Sequence, residues 1–354
     1  MKIYKFITQI SIAGCMLVGT PMLQGCMDNS LNDPLGKVSE EELGRDGFAA
    51  NAFFLTLCDY AYPIATENIY NTNESLIGDC YGRYQVMATD KFKGANFATY
   101  NAPENWLNWQ FADDNVMVLT YGAWNKIKNV TQGTGVNFAW AQILRIATMH
   151  RMLDMYGALP YSQISSDKLS TPYDTMEEAY HAMFTDLTDA INVMTVYVTE
   201  NPNNRTMAKY DKVYDGDFEK WVKFANSLKL RMAIRIRFAD REYARQMAEE
   251  AINHSIGVIT SNEDNATSLG TKNQLYTVLV QWPDQCVSAD ITSYMKGYND
   301  PRMSKYFKKK TSDKGDDDYV GMRAGLSYGN DITGPTFSRI NVGEMDRTLW
   351  MSAA

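Results

Sequence analysis

The residues of this chain best suited to hold a ligand are flat aromatic side chains set among polar ones. Tyr81-Gly82-Arg83-Tyr84 and Asn105-Trp106-Leu107-Asn108-Trp109 interleave rings with Arg and Asn. A sugar ring has apolar C–H faces and polar edges, so a surface that binds it needs exposed rings flanked by hydrogen-bonding groups. The candidate ligand-binding residues are therefore Tyr81, Arg83, Tyr84, Trp106 and Trp109, joined by Trp282 and Tyr298 from the C-terminal loops. The competing expectation is that the tryptophans pack inside, as large aromatics commonly do.

No pattern in the sequence spells out a reaction. Glu177/Glu178 and Asp113/Asp114 are adjacent carboxylates, but neighbours on a helix diverge by about 100° and cannot face one bond together. They read as charge at helix starts. Asp313, Asp316 and Asp318 fail the calcium-loop pattern because Tyr319 stands where a ligand should be and Gly321 comes too late. His150, His181 and His254 read as isolated, and neither His150 nor His181 has a second ligand four residues on. There is no G-x-S-x-G, Walker loop or G-x-G-x-x-G. No catalytic residue, metal or cofactor is expected.

The N-terminus points to a compartment. Lys2 and Lys5 precede an apolar run, Phe6 to Val18, that is too short for a membrane span of about 20 residues and has the shape of a secretory signal. It ends in Leu23-Gln24-Gly25-Cys26, which looks like a bacterial lipobox, so residues 1–25 are expected to be cleaved and Cys26 to be lipidated. Several acyl chains would anchor the protein durably, at about 0.8 kcal/mol per buried CH₂. Residues 26–38 then form a polar tether carrying Pro34 and Gly36. Loss of Lys2 and Lys5 takes the formal charge from −8 to −10, which disfavours a nucleic-acid partner. With Cys15 removed and Cys26 acylated, Cys58, Cys80 and Cys286 remain, an odd number without C-x-x-C spacing. A disulfide framework and a zinc site are not expected. A single Cys58–Cys80 bridge and three buried free thiols both stay open.

The elements that must position the aromatic passages are helices. Between Phe138 and Ser162, apolar residues at Trp140, Ile143, Leu144, Ile146, Ala147, Met149 and Leu153 cover two adjoining helical faces. Only Gln142, Arg145 and Thr148 form a polar stripe, so this helix is buried. Gly157 and Pro160 stop it and make a tight corner. Other helices are expected from Ser39 to Tyr62, from Asn105 to Val130, from the capping box at Thr175–Glu178 onward, from Phe218 to Phe238 and from Asp240 to His254. From Glu67 to Pro103 helical periodicity fades into a long irregular excursion, and turn residues dominate after Ser261. No strict tetratricopeptide consensus of about 34 residues is visible. The series of helical hairpins nevertheless predicts a mainly α, α-solenoid-like scaffold with irregular insertions.

Three passages in order, Asp154 to Ser162 (DMYGALPYS), Trp221 to Arg231 (WVKFANSLKLR) and Asn299-Asp300-Pro301-Arg302 preceded by Gly257 to Asn262, resemble the SusD/RagB family of nutrient-binding outer-membrane lipoproteins of Bacteroidetes. The resemblance implies a tetratricopeptide-like scaffold over residues 39–354, lacking the helices that follow in the family. It also implies residence at the cell surface and an oligosaccharide or other nutrient as ligand. The implied partner is a SusC-type TonB-dependent transporter. Two other function classes stay alive: a helical-repeat adaptor that binds only protein, and a surface hydrolase.

Overall fold

The computed structural model describes residues 48–61, 67–89, 97–111, 116–164, 170–269, 274–282, 284–311, 317–326, 336–342 and 347–352. The expected signal, Cys26 and the tether lie outside the described residues. The helices are α1 (Phe48–Ala61), α2 (Glu67–Tyr70), α3 (Glu104–Phe111), α4 (Val116–Thr131), α5 (Gly135–Tyr156), α6 (Met176–Glu200), α7 (Phe218–Ile236), α8 (Arg241–Ile252), α9 (Gln274–Tyr276), α10 (Ala289–Gly297) and α11 (Met303–Tyr306). From α4 to α8 each helix packs on the next in sequence, the arrangement of a helical-repeat scaffold.

Helix α5 holds the main core together. Trp140 is fully buried, stacks on Phe54 of α1 at 4.3 Å and meets Phe218 and Trp221 of α7 at 5.5 and 5.6 Å. The expected polar stripe does not face water, because its members are satisfied inside. Gln142 accepts a hydrogen bond from the Trp124 indole N–H at 2.5 Å. Thr148 donates to the Leu144 carbonyl. Arg145, only 3% exposed, lies between the Trp124 and Tyr161 rings and pairs with Asp186 of α6.

The corner after α5 has an identifiable clamp. Gly157 adopts φ 78°, ψ −139°, a conformation closed to side chains with a Cβ, and its N–H bonds the Leu153 carbonyl at 2.9 Å. Asp174 then accepts from the Tyr161 N–H, the Ser162 N–H and the Ser162 hydroxyl at 2.9, 2.7 and 2.6 Å. Desolvation pushes the Asp174 carboxyl upward, yet the bonds from Ser162 and Tyr161 outweigh it and hold the group below its ordinary value. One residue later Thr175 and Glu178 form the capping box that starts α6, with Thr175 Oγ1 accepting from Glu178 N and the Glu178 carboxylate accepting from Thr175 N.

Two expectations need correction. The excursion from Glu67 is helical at first: α2 runs on as a π-helix over Asn71–Asp79. Its buried side include Asn71, Thr72 and Ser75 beside Leu76, Ile77 and Cys80, so a search for apolar residues at a period of 3.6 passes over it. Beyond Ser261 the chain also forms α9, a π turn Thr277–Gln281, α10 and short strands. The antiparallel pairs of most consequence are Gln85–Met87 with Gln285–Val287 and Ala266–Leu269 with Arg347–Met351. Trp350 of the last strand closes over Trp221, at 6.1 Å between ring centres. Cys58, Cys80 and Cys286 are free and buried. Desolvation pushes the thiols of Cys80 and Cys286 up to about 12. Among the described residues no helix is long and apolar enough to cross a membrane.

Candidate ligand-binding surface

Tyr81, Arg83 and Tyr84 project from the turn that follows the π-helix, and the turn is fixed by its backbone. The N–H groups of Gly82, Arg83 and Tyr84 donate to the carbonyls of Gly78, Cys80 and Asp79 at 2.9, 3.2 and 2.9 Å. Arg83 takes φ 61°. A Cβ on Gly82 would stand 2.9 Å from the Tyr84 ring and 3.0 Å from the Gly78 carbonyl, so glycine is needed where the two tyrosines flank it. The Tyr84 carbonyl accepts from Ser288 N–H at 3.1 Å, which ties the turn to the start of α10.

Beneath the turn lies a second apolar cluster of Leu76, Ile77, Cys80, Val86, Met87, Phe97, Cys286 and Met322. Polar staples stitch it across the chain: Ser75 donates to the Gln285 side chain, and Gln85 donates to Asp79 Oδ2 at 2.6 Å. Burial pushes the Asp79 carboxyl up to about 7, partly offset by the bond from Gln85. The rings above therefore stand on a floor with few unused degrees of freedom.

On that floor Tyr81, Tyr84 and Tyr100 are 36%, 57% and 63% exposed. Tyr100 was not among the sequence candidates. It follows the short turn Phe97–Thr99 at φ 61°, brings its ring to 4.9 Å from Tyr81, and receives the Arg83 guanidinium 5.7 Å above its centre. The signal for it in the sequence is only a tyrosine followed by Asn101, which is too common to act on. Tyr81 also lines one wall of a cleft of about 310 Å³ with Tyr60, Glu74, Arg151 and Asp154. The ion pair Arg151–Glu74 offers that cleft both a donor and an acceptor group.

The remaining candidates stand apart from this grouping. Trp106 on α3 is half-buried, packing against the second cluster with its ring 5.4 Å from Phe97. The backbone of Trp109 is in α3, and its side chain lies outside the described residues. Trp282 ends the π turn Thr277–Gln281 and is 36% exposed, whereas Tyr298 caps the end of α10 at 81%. The reading of His181 as isolated is corrected: Glu177 lies four residues before it on α6, and Asp240 reaches it from α8, with His181 Nε2 3.2 Å from Asp240 Oδ2. Desolvation lowers the buried His150 to about 4, and its Nδ1 bonds the Ile146 carbonyl, so it reads as a core histidine.

The motif residues of the three ordered passages act as staples. Trp221 donates its indole N–H to Asp211 at 2.7 Å, Asn226 donates to the Gly257 carbonyl, and Lys229 pairs with Glu250 at 2.6 Å. Asp154 accepts from the Tyr180 hydroxyl and from Arg235, while Arg302 grips Asp300 through two nitrogens. Conserving such residue types preserves a shape and leaves the ligand surface to vary.

No curated protein matches the sequence. Among solved structures the chain is similar to a SusD homologue from Bacteroides uniformis, with 35% identity and a TM-score of 0.77 over 86% of this chain and 64% of that one. It is also similar to a SusD-like protein from Bacteroides thetaiotaomicron, at 30% identity and a TM-score of 0.76 over 86% and 63%. A chitin-binding SusD homologue from Flavobacterium johnsoniae matches at 31% identity and a TM-score of 0.75, over 86% and 63%. The chain thus spans slightly under two thirds of the length of each. The family profile described as Susd and RagB outer membrane lipoprotein matches residues 30–354. With that match laid over a scaffold of consecutive helix pairs and the three stapling passages, the chain belongs to the SusD-like family.

Proposed function

We propose that this protein is a cell-surface lipoprotein, anchored through Cys26, that captures an oligosaccharide and passes it unaltered to a SusC-type TonB-dependent transporter. The observation that carries the reading is the group Tyr81, Arg83, Tyr84 and Tyr100, exposed aromatic rings with a guanidinium among them on a rigid apolar floor. Such a surface stacks on sugar C–H faces and hydrogen-bonds their edges. The chitin-binding relative makes oligomers of N-acetylglucosamine the first ligands to try. Trp106, Trp109, Trp282 and Tyr298 belong to the proposal as flanking candidates. Family membership supports binding without turnover, and the family's description supports an outer-membrane address.

Affinity should be modest, because an open platform covers one face of each sugar and much of the gain is offset by lost ligand freedom. The test is calorimetric titration of a glycan panel, including chitin oligomers, against wild type and Tyr81→Ala/Tyr100→Ala. Two stacking rings at about 0.5–1.5 kcal/mol each predict roughly a 5- to 150-fold loss. The thermal midpoint should change little, since both rings are substantially exposed. Equal binding by both proteins would place the site elsewhere; absence of any glycan binding at millimolar concentration, with no transporter co-purifying, would overturn the reading.

A further inference from the structure

A second group of side chains lies apart from the tyrosine surface, where the start of α6 meets the start of α8. Glu177 and His181 are four residues apart on α6 and so share a face. Asp240 is the N-cap of α8: its Oδ1 accepts from Tyr243 N–H at 3.2 Å, which fixes the carboxylate and leaves Oδ2 turned to His181 Nε2 at 3.2 Å. The His181 ring is held from its other side by the Tyr243 ring, 4.2 Å between centres. The three potential ligand atoms lie within 4.8 Å of one another. They line a cleft with Asp154, Tyr180 and Arg235.

We propose that Glu177, His181 and Asp240 bind a divalent transition-metal cation of the zinc type. One imidazole nitrogen and two carboxylate oxygens form a three-ligand set for zinc and leave further positions to water. Bonds of about 2.0–2.2 Å put any two ligands at most about 4.3 Å apart, so closing the site asks for a small rotation of the exposed Glu177. Asp240 and His181 are already oriented by the cap and the ring contact, and this is the preparation that a metal ligand receives from its surroundings. The charge balance also fits. Arg235, the cation of the same cleft, is neutralised by Asp154 at 3.1 Å, so the two ligand carboxylates stand opposite no unpaired cation named in the cleft lining. The imidazole selects for zinc, copper or nickel over calcium and magnesium, which prefer oxygen alone. A bound ion would tie α6 to α8, joining residues 59 positions apart.

The experiment is titration of the full chain in detergent with Zn²⁺, by calorimetry and by thermal unfolding, for wild type, His181→Gln and Glu177→Gln. One ion per chain and a raised midpoint are expected for wild type, with Ca²⁺ and Mg²⁺ giving neither. Both variants should bind at least about 10- to 100-fold more weakly, a ligand counting for no less than its supporting shell. If His181→Gln folds poorly, the exposed Glu177→Gln decides alone, since it leaves the Thr175–Glu178 cap in place. Absence of stoichiometric Zn²⁺ binding by wild type, or undiminished binding by Glu177→Gln, would overturn the proposal and send any residual affinity to His254 or to surface carboxylates.

Discussion

Replacing Asp186 by Ala is the most demanding test of how the core is held. The Arg145 guanidinium is enclosed by the Trp124 and Tyr161 rings, at 4.0 and 4.2 Å from their centres, and its side chain is 4% exposed. Asp186 Oδ2 is its one carboxylate partner, and it also accepts from the Tyr161 hydroxyl at 2.8 Å. Asp186→Ala therefore strands a buried cation and a buried hydroxyl in one step. Breaking a buried pair from one side costs about 3–5 kcal/mol. The Asp186 side chain is 31% exposed, so water can partly replace it, and the expected cost sits at the lower end, about 3 kcal/mol. Urea denaturation followed by circular dichroism should show a lower midpoint with an unchanged slope. The companion double variant Arg145→Met/Asp186→Leu removes both charges and should fall within about 1.5 kcal/mol of wild type, because no charge is left unpaired. A loss below about 1 kcal/mol for Asp186→Ala, or a double variant weaker than the single one, would refute this account of the polar stripe.

Other outcomes follow from the same packing. Asp79 is held at about 7 by burial against an ordinary 3.8, so the folded chain keeps a proton that the unfolded chain has already lost. Stability should thus fall as pH rises from about 4 to 7 and level off above. Asp79→Asn should remove that loss, matching wild type near pH 4 and exceeding it by roughly 3–5 kcal/mol at pH 8, while parallel pH curves would contradict it. Gly157→Ala meets no atom within 4 Å and is disfavoured by the backbone alone. It should cost about 1–3 kcal/mol in thermal or chemical unfolding, and an unchanged midpoint would mean that the corner can relax.

Much of the scaffold was legible because its helices advertise themselves locally. Thr175 and Glu178 form the cap that their spacing announces, and the apolar positions of α5, α6 and α7 recur at helical intervals and are buried. What stayed hidden is whatever depends on partners distant in sequence. Gln142 and Arg145 looked like a solvent stripe because their partners, Trp124 and Asp186, lie on other helices. The segment after Glu67 looked irregular because Asn71, Thr72 and Ser75 are buried through hydrogen bonds such as that from Ser75 to Gln285, 210 residues on. At the ligand surface, Tyr81, Arg83 and Tyr84 could be picked out because one turn carries them all. Tyr100 could not, since only folding sets it against Tyr81. His181 seemed solitary because a ligand was sought four residues ahead, whereas Glu177 lies four behind and Asp240 comes from another helix.

The wide turns of Asn71–Asp79 bear on how such a surface could be reshaped over generations. A π-helix carries one residue more than the α-helix that would span the same stretch. Removing one residue there would let the backbone close into ordinary α turns and swing everything behind it by about 100°. Tyr81, two positions past the segment, would leave Tyr100 without any ring being replaced. Single-codon gains and losses in this helix are thus a route to new glycan preferences that comparison of side-chain identities alone would overlook.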